Sequence, residues 1–123
     1  MHAKLVEAAG RSRRLRFDEF QRLALYDPEH GYFAKSAHRA GRDGDFLTSP
    51  EVAPLFAEVI ARVLAHDAGA LDADVFHIVE AGAGRGRLVH DVWDALRFQP
   101  LGRRVQFHLV EASAAARAEH PKV

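Results

Sequence analysis

The chain has 123 residues, 48% of them apolar and 28% charged, and it contains no cysteine. That is the composition of an ordinary globular domain with one core, and it excludes a disulfide framework, a thiolate nucleophile and a Cys-ligated zinc site. Seventeen basic residues balance seventeen acidic ones, so no global field draws the chain to nucleic acid or to an anionic membrane, and no apolar stretch approaches the roughly 20 residues that span a bilayer.

The N-terminus lacks the unbroken apolar core of a secretory signal, and a soluble, intracellular, cytoplasmic protein is expected. The local basic run Arg11-Ser12-Arg13-Arg14-Leu15-Arg16 reads as a solvated lead-in to a helix rather than a nucleic-acid patch. A first helix is expected from Phe17 to Tyr26, with Phe17, Phe20, Leu23 and Ala24 on one stripe. Asp27-Pro28-Glu29-His30-Gly31 has the composition of a turn that stops it. Residues 35–45, rich in glycine and arginine and without periodicity, read as an exposed loop.

The tract Gly44-Asp45-Phe46-Leu47-Thr48-Ser49-Pro50-Glu51 follows. Thr48 or Ser49 can cap a helix, with Glu51 three residues after Thr48 as in a capping box. The helix start is ambiguous between Pro50, which suits a first turn, and Pro54, which does not suit an interior. Beyond it Leu55, Phe56, Val59, Ile60, Val63 and Leu64 recur at helical spacing and are expected to face the core. Val75 to Val79 is a short, mostly apolar run that suits a strand buried on both faces. A second amphipathic helix is expected with Leu88, Val89, Val92, Trp93 and Leu96 inward, broken by Pro100-Leu101-Gly102, and Val105 to Val110 reads as another strand. The histidines are scattered without a helical HExxH-type pair, and no metal site is expected.

Between the strand and the second helix lies Glu80-Ala81-Gly82-Ala83-Gly84-Arg85-Gly86, and Glu111 closes the second strand. Strand, glycine loop, helix, strand and acid make a βαβ unit, which implies an α/β sheet with a right-handed crossover. Glycines remove the Cβ atoms that would block a ligand, and a helix N-terminus offers it free N–H groups. Glu111 is placed to accept hydrogen bonds from both hydroxyls of a ribose. A dinucleotide fingerprint needs a third small residue where Arg87 stands, which disfavours an NAD-binding oxidoreductase half-domain. The acid-x-Gly-x-Gly-x-Gly order, with Glu80 available to an ammonium group, suits S-adenosylmethionine.

Leu25 to Phe33, Gly44 to Val52, Pro54-Leu55-Phe56, Val79 to Gly86 and Leu109 to Ser113 together resemble the MidA-like methyltransferases, a family that includes the mitochondrial complex I assembly-factor arginine methyltransferase. The resemblance implies a class I, Rossmann-like methyltransferase fold behind an N-terminal helical extension. It implies methyl transfer from S-adenosylmethionine to a protein, in the mitochondrial relative an arginine of a respiratory-chain subunit. Carried over position by position, Gly82, Gly84 and Gly86 correspond to the cofactor loop and Glu111 to the ribose-binding acid. Asp45, Thr48 and Ser49 correspond to a segment folded over that site. Asp45 and Glu51 are the candidates for orienting an acceptor guanidinium. Residues 1–70 are expected to form the extension and 71–123 the opening of the cofactor domain. Family members are longer, so an N-terminal fragment with an incomplete sheet is expected. The rival reading is a non-catalytic interaction or assembly module that keeps the fold, and the oligomeric state stays open.

Overall fold

The computed structural model of the chain describes residues 1–34, 36, 39, 41, 44–101 and 104–121, without the side chains at 50 and 51. Much of the loop expected over residues 35–45, the Gly102 of the helix breaker and the Glu51 side chain lie outside the described residues. The elements are, in order, α1 (His2–Ala9), a 3-10 turn (Gly10–Ser12), α2 (Phe17–Tyr26), α3 (Ser49–Val52), α4 (Leu55–Ala70), β1 (Val75–Ala81), α5 (Arg87–Leu96), β2 (Arg104–Val110) and α6 (Ala114–Arg117). Helix α1, absent from the sequence reading, is made of residues that mostly favour a helix. It is tied down by Lys4, whose ammonium bonds Asp27 at 2.9 Å and Glu29 at 2.8 Å.

Helix α2 has the expected bounds because both of its ends are specified locally. Asp18 and Glu19 lie in its positive first turn, and the Glu19 carboxylate accepts the Arg16 N–H at 3.2 Å. At the other end Asp27 Oδ1 accepts the backbone N–H groups of Glu29 and His30 at 3.1 and 2.8 Å, an Asx turn that competes with further helix. The stripe of Phe17, Phe20, Leu23 and Ala24 is covered over only half its length. Leu23 and Ala24 are half-buried, whereas Phe17 is 75% exposed.

The two prolines begin two helices. Pro50 sits in the first turn of α3, and Pro54 is the N-cap of α4, so neither interrupts a helix interior. Thr48 holds the N-cap position of α3 in extended conformation, but its side chain makes no cap hydrogen bond. Pro50, two residues on, has no N–H to give it.

The core forms where α4 meets α5. Ala57 and Ala61 pack with Val92 and Leu96, and Ile60, Leu64, Ile78 and Phe107 close around them. The side of α4 that reaches the core is therefore its alanine side together with Ile60 and Leu64. Leu55, Phe56, Val59 and Val63, expected inward, are exposed. Small side chains let two helices approach closely, and that contact wins over the larger residues around the cylinder. Helix α4 thus shares one core with β1, α5 and β2.

β1 and β2 pair in parallel, in a register that sets Val75 beside Arg104 and Ala81 beside Val110. The expectation of a strand buried on both faces is corrected. Burial alternates along both strands, with Ile78 and Phe107 against the helices. On the other face Val79 is 64% and Val110 57% exposed. The period of two sends successive side chains to opposite faces, and among the described residues only one face is covered by helices.

Candidate cofactor site

The turn from β1 into α5 is built from glycines because the backbone requires them. Gly82, Gly84 and Gly86 have φ of 74°, 54° and 79°, a region that costs a residue with a Cβ about 1–2 kcal/mol. The turn is anchored to the neighbouring strand, since the Gly82 and Ala83 N–H groups donate to the Val110 carbonyl at 2.8 and 3.2 Å. The three glycines then divide their work. A Cβ on Gly82 or Gly84 would meet nothing within 4 Å, whereas one on Gly86 would lie 2.7 Å from Pro121 Cδ and 2.9 Å from Leu109 Cδ2. The first two leave room for a ligand, and the third lets the end of the chain pack on the loop. His120 reinforces that packing through its Nε2, 2.9 Å from the Gly84 carbonyl, as does Arg85 through Glu119 at 2.7 Å.

Glu111 joins the two strand ends. Its carboxylate accepts the Gly84 N–H at 2.8 Å and the Ser113 N–H at 2.7 Å, one on each oxygen, which leaves lone pairs on both for a ligand's hydroxyls. Ser113 caps α6, accepting the Ala116 N–H at 3.2 Å, and donates its hydroxyl to the Phe33 carbonyl at 2.8 Å. That bond brings the N-terminal segment to the strand ends.

A cavity of about 350 Å³ opens there, within the range of small-molecule sites. Glu80, Gly82, Gly84 and Glu111 line one side; Tyr26, Phe33, Arg39, Phe46 and Thr48 line the other. Glu80 is the unsettled group. Its Oε2 is buried with no hydrogen-bond partner among the described residues. Burial pushes its carboxyl above the usual carboxylate range, against the opposing pull of the Val89 N–H and the His120 charge. A buried carboxylate in this state stabilises a cation brought beside it.

Of the residues singled out in the sequence, Glu80, Gly82, Gly84, Glu111 and Thr48 line the cavity. Gly86 lies beneath the loop, packed on Pro121. Ser49 opens α3 and is not among the lining residues. Asp45 stands outside the cavity, half-exposed, where it accepts the Tyr32 hydroxyl at 2.6 Å and the Arg39 guanidinium at 2.9 Å. Those two bonds, the tyrosine's first, hold its carboxyl below the ordinary value, and the same bond raises the Tyr32 phenol. The Glu51 side chain is outside the described residues.

Sequence reasoning missed Ser113 as a functional position, as well as Arg39 and the aromatic side chains of the cavity. A serine before Ala114-Ala115-Ala116 was a readable N-cap signal; its bond to Phe33, 80 positions away, had no local signal. One group with metal-ligand spacing occurs among the described residues, Asp27, Glu29 and His30, and the Lys4 ammonium already bridges its two carboxylates.

A cavity outside the carboxyl ends of parallel strands, bordered by a glycine loop and a strand-end acid, is the place where α/β proteins of the doubly wound class hold a ligand. Comparison with known proteins narrows the class. Residues 57–122 match the model of a family described as "Putative S-adenosyl-L-methionine-dependent methyltransferase", and the chain belongs to this family. Among its relatives, "Protein arginine methyltransferase NDUFAF7 homolog, mitochondrial" of Caenorhabditis elegans is 37% identical over 85% of this chain and 25% of its own length. The Drosophila melanogaster homolog is 34% identical over 77% of this chain and 22% of its own length. Human "Protein arginine methyltransferase NDUFAF7, mitochondrial" is 34% identical over the same shares, 77% and 22%. The chain therefore spans about a quarter of the length of these relatives, or slightly less. All three are named mitochondrial, which overturns the cytoplasmic location expected from composition. Composition and charge carry no information about the compartment a domain occupies. Among the described residues no helix is long and apolar enough to cross a membrane.

Proposed function

We propose that this chain forms the S-adenosylmethionine-binding part of a protein arginine methyltransferase. In this reading residues 71–123 open a Rossmann-like class I sheet, and residues 1–70 form the helical extension before it. The observation that carries the proposal is the space over Gly82 and Gly84, where a Cβ would meet no atom within 4 Å, between the Glu80 and Glu111 carboxylates. The residues fit the cofactor group by group. Glu111 keeps acceptor capacity for the ribose hydroxyls, and Glu80 Oε2, buried without a hydrogen-bond partner among the described residues, suits the methionine ammonium. Thr48, with Ser49 beside it, belongs to the segment that closes the opposite side. The absence of a pyrophosphate to cradle agrees with Arg87 at the position where dinucleotide sites need a small residue.

When bound, the cofactor supplies a methyl group made electrophilic by its sulfonium. The chain's own work is to bind it, to orient it and to limit the water around it. For an arginine acceptor, carboxylates orient the guanidinium through charge-assisted hydrogen bonds, and Asp45 and Glu51 are proposed for this. Asp45 already holds the guanidinium of Arg39, so it serves an acceptor by exchanging one guanidinium for another. The names of the relatives support a protein substrate and a mitochondrial setting. By family resemblance the substrate is a subunit of a respiratory complex. Neither the NAD-binding nor the non-catalytic reading gains support from the comparisons.

Calorimetric titration of the chain with S-adenosylmethionine and, separately, with NAD tests the proposal. Saturable binding of the first alone is expected. Glu111→Ala should weaken it by about thirtyfold or more, the scale of hydrogen bonds to a charged group. Gly84→Val should abolish it. Binding of NAD instead would overturn the reading.

A further inference from the structure

The sheet face that no described helix covers carries two histidines, one from each strand. The register sets His77 beside Gln106 and Val79 beside His108, so the two are diagonal neighbours, and the period of two turns both to the same side. His77 Nδ1 lies 2.9 Å from His108 Nε2, with the rings 5.2 Å apart between centroids and tilted by 34°. Both side chains are exposed, and among the described residues neither ring has another hydrogen-bond partner. The pair therefore shares one proton between its inner nitrogens. Val79, Gln106 and Val110 surround it on this face, and Arg104 at the start of β2 is the charged residue there. The pairing spans 31 positions of sequence, so only the strand register brings it about.

From this geometry we propose that His77 and His108 form a two-ligand site for a divalent transition ion of the copper(II) or nickel(II) class. Two nitrogens each about 2.1 Å from one ion stand about 3.0 Å apart when they subtend about 90°, and about 3.4 Å apart in a tetrahedron. The observed 2.9 Å matches the right angle, which square-planar and octahedral ions adopt and structural zinc does not. When each ring carries its proton on the outer nitrogen, His77 Nε2 and His108 Nδ1, both inner lone pairs are free for the ion. Water completes the coordination. The pairing of β1 with β2 holds the two backbones in place, so the ion orders only two short side chains. It then bridges the strands and stabilises the folded chain over the unfolded one. The cluster of Asp27, Glu29 and His30 is not available in this way, because the Lys4 ammonium bridges its carboxylates. The inference does not rest on the cofactor reading.

The test is titration of the 123-residue chain with nickel(II) chloride at neutral pH, in a buffer that does not bind metals, followed by calorimetry and by amide NMR. One equivalent is expected to bind, and the paramagnetic ion should broaden the amides around His77 and His108 before any others. His77→Gln and His108→Gln should each weaken binding by about tenfold or more, since a whole ligand is lost rather than an outer partner. The double variant should be little weaker than either, because a single imidazole does not chelate. The ion should also raise the urea midpoint of the wild-type chain and leave that of His77→Gln in place. His90→Gln, which removes an exposed histidine elsewhere, should change none of these readouts. The site is overturned by the absence of saturable binding, by broadening centred on His2, His66 or His90, or by nickel affinity that survives His77→Gln. Zinc(II) bound more tightly than nickel(II) overturns the right-angle geometry and the ion class with it. The broadening map needs only the wild-type chain, so it decides the question even where a variant fails to fold.

Discussion

The two walls of the cavity are held in different ways. The wall of Glu80, Gly82, Gly84 and Glu111 grows from two paired strands and from a helix whose Val89, Val92 and Leu96 are buried. Its conformation is specified by positive-φ glycines within a few residues of sequence and by their backbone bonds to Val110 on the paired strand. Among the described residues the wall of Tyr26, Phe33, Arg39, Phe46 and Thr48 has no strand or helix of its own between Tyr26 and Ser49. It is held by side-chain contacts, Tyr32 and Arg39 on Asp45 and Ser113 on Phe33, and by the Tyr32 and Phe33 N–H groups on the Ala24 and Leu25 carbonyls of α2. Groups that must meet a ligand at fixed positions belong on the first kind of wall, and a segment that responds to a ligand belongs on the second.

The largest effect that separates the walls is expected from Gly86→Ala. The new methyl would sit 2.7 Å from Pro121 Cδ, on a backbone whose φ is 79°. Strain and overpacking together should cost about 2–4 kcal/mol, read as a lower urea midpoint with an unchanged slope. Gly84→Ala has only the strain to bear, because nothing lies within 4 Å of its Cβ. Its damage should appear in cofactor binding and much less in stability. If both glycines proved equivalent in stability, the division of the loop into a packed end and a ligand end would be wrong.

A second effect has opposite signs for stability and binding. Because burial raises the Glu80 carboxyl, the folded chain holds that proton more tightly than the unfolded one. The contribution of this group to stability is full below the ordinary carboxylate value and is lost as the pH rises through the raised one. Glu80→Gln should therefore stabilise the free chain at neutral pH, while weakening S-adenosylmethionine by about tenfold through loss of a charge-assisted bond. Urea denaturation and calorimetry on the same variant read the two signs. A variant that loses both stability and affinity would mean that Glu80 is a structural acid.

A third effect is confined to the N-terminal helix. The Lys4 hydrogen bonds hold the Asp27 and Glu29 carboxyls low, and the ammonium's own value is raised by Glu29 and Asp27 in turn. The carboxylates' contribution is present above their unfolded values, about pH 4, and is lost as the pH falls through the lowered folded ones. The Lys4 contribution is present below about pH 10 and is lost as the pH rises through its raised value. Acid titration followed by exchange of the Leu5 amide, which bonds the Met1 carbonyl, should show α1 loosening before α5. Asp27→Asn should blunt that acid limb.

The same contrast explains what could be read in the sequence. α2, α4, β1, α5 and β2 emerged close to their observed bounds, because turn residues, capping acids and periodicity specify them locally. The glycine loop and Glu111 were readable for the same reason, since strand, loop, helix, strand and acid follow one another within 40 residues. The inner face of α5 was readable, and Val89, Val92 and Leu96 are buried as expected; which side of α4 or of a strand is covered was not. The choice of Ala57 and Ala61 over Leu55 and Val59, and the exposure of Val79, depend on what packs opposite. Ser113 and Arg39 reach the site through partners far along the chain or within an aperiodic loop, and no local pattern announces such contacts.

The smallest effect is the sharpest test of how the second wall is held. Tyr32→Phe deletes the 2.6 Å bond to Asp45 but keeps the ring beneath the Arg39 guanidinium, 4.4 Å from its centroid. Asp45 retains its partner in Arg39, so the loss should be small and local. Exchange at the Asp45 amide should quicken, while the urea midpoint of the chain stays in place. Removal of the largest cause of its depression should let the Asp45 carboxyl rise toward its ordinary value, which a side-chain NMR titration follows. Cofactor affinity should change less than for Glu80→Gln, because neither Tyr32 nor Asp45 lines the cavity. Equal losses in the two variants would show that the segment's internal bonds govern the ligand as directly as the glycine wall does, and the distinction between the walls would fall.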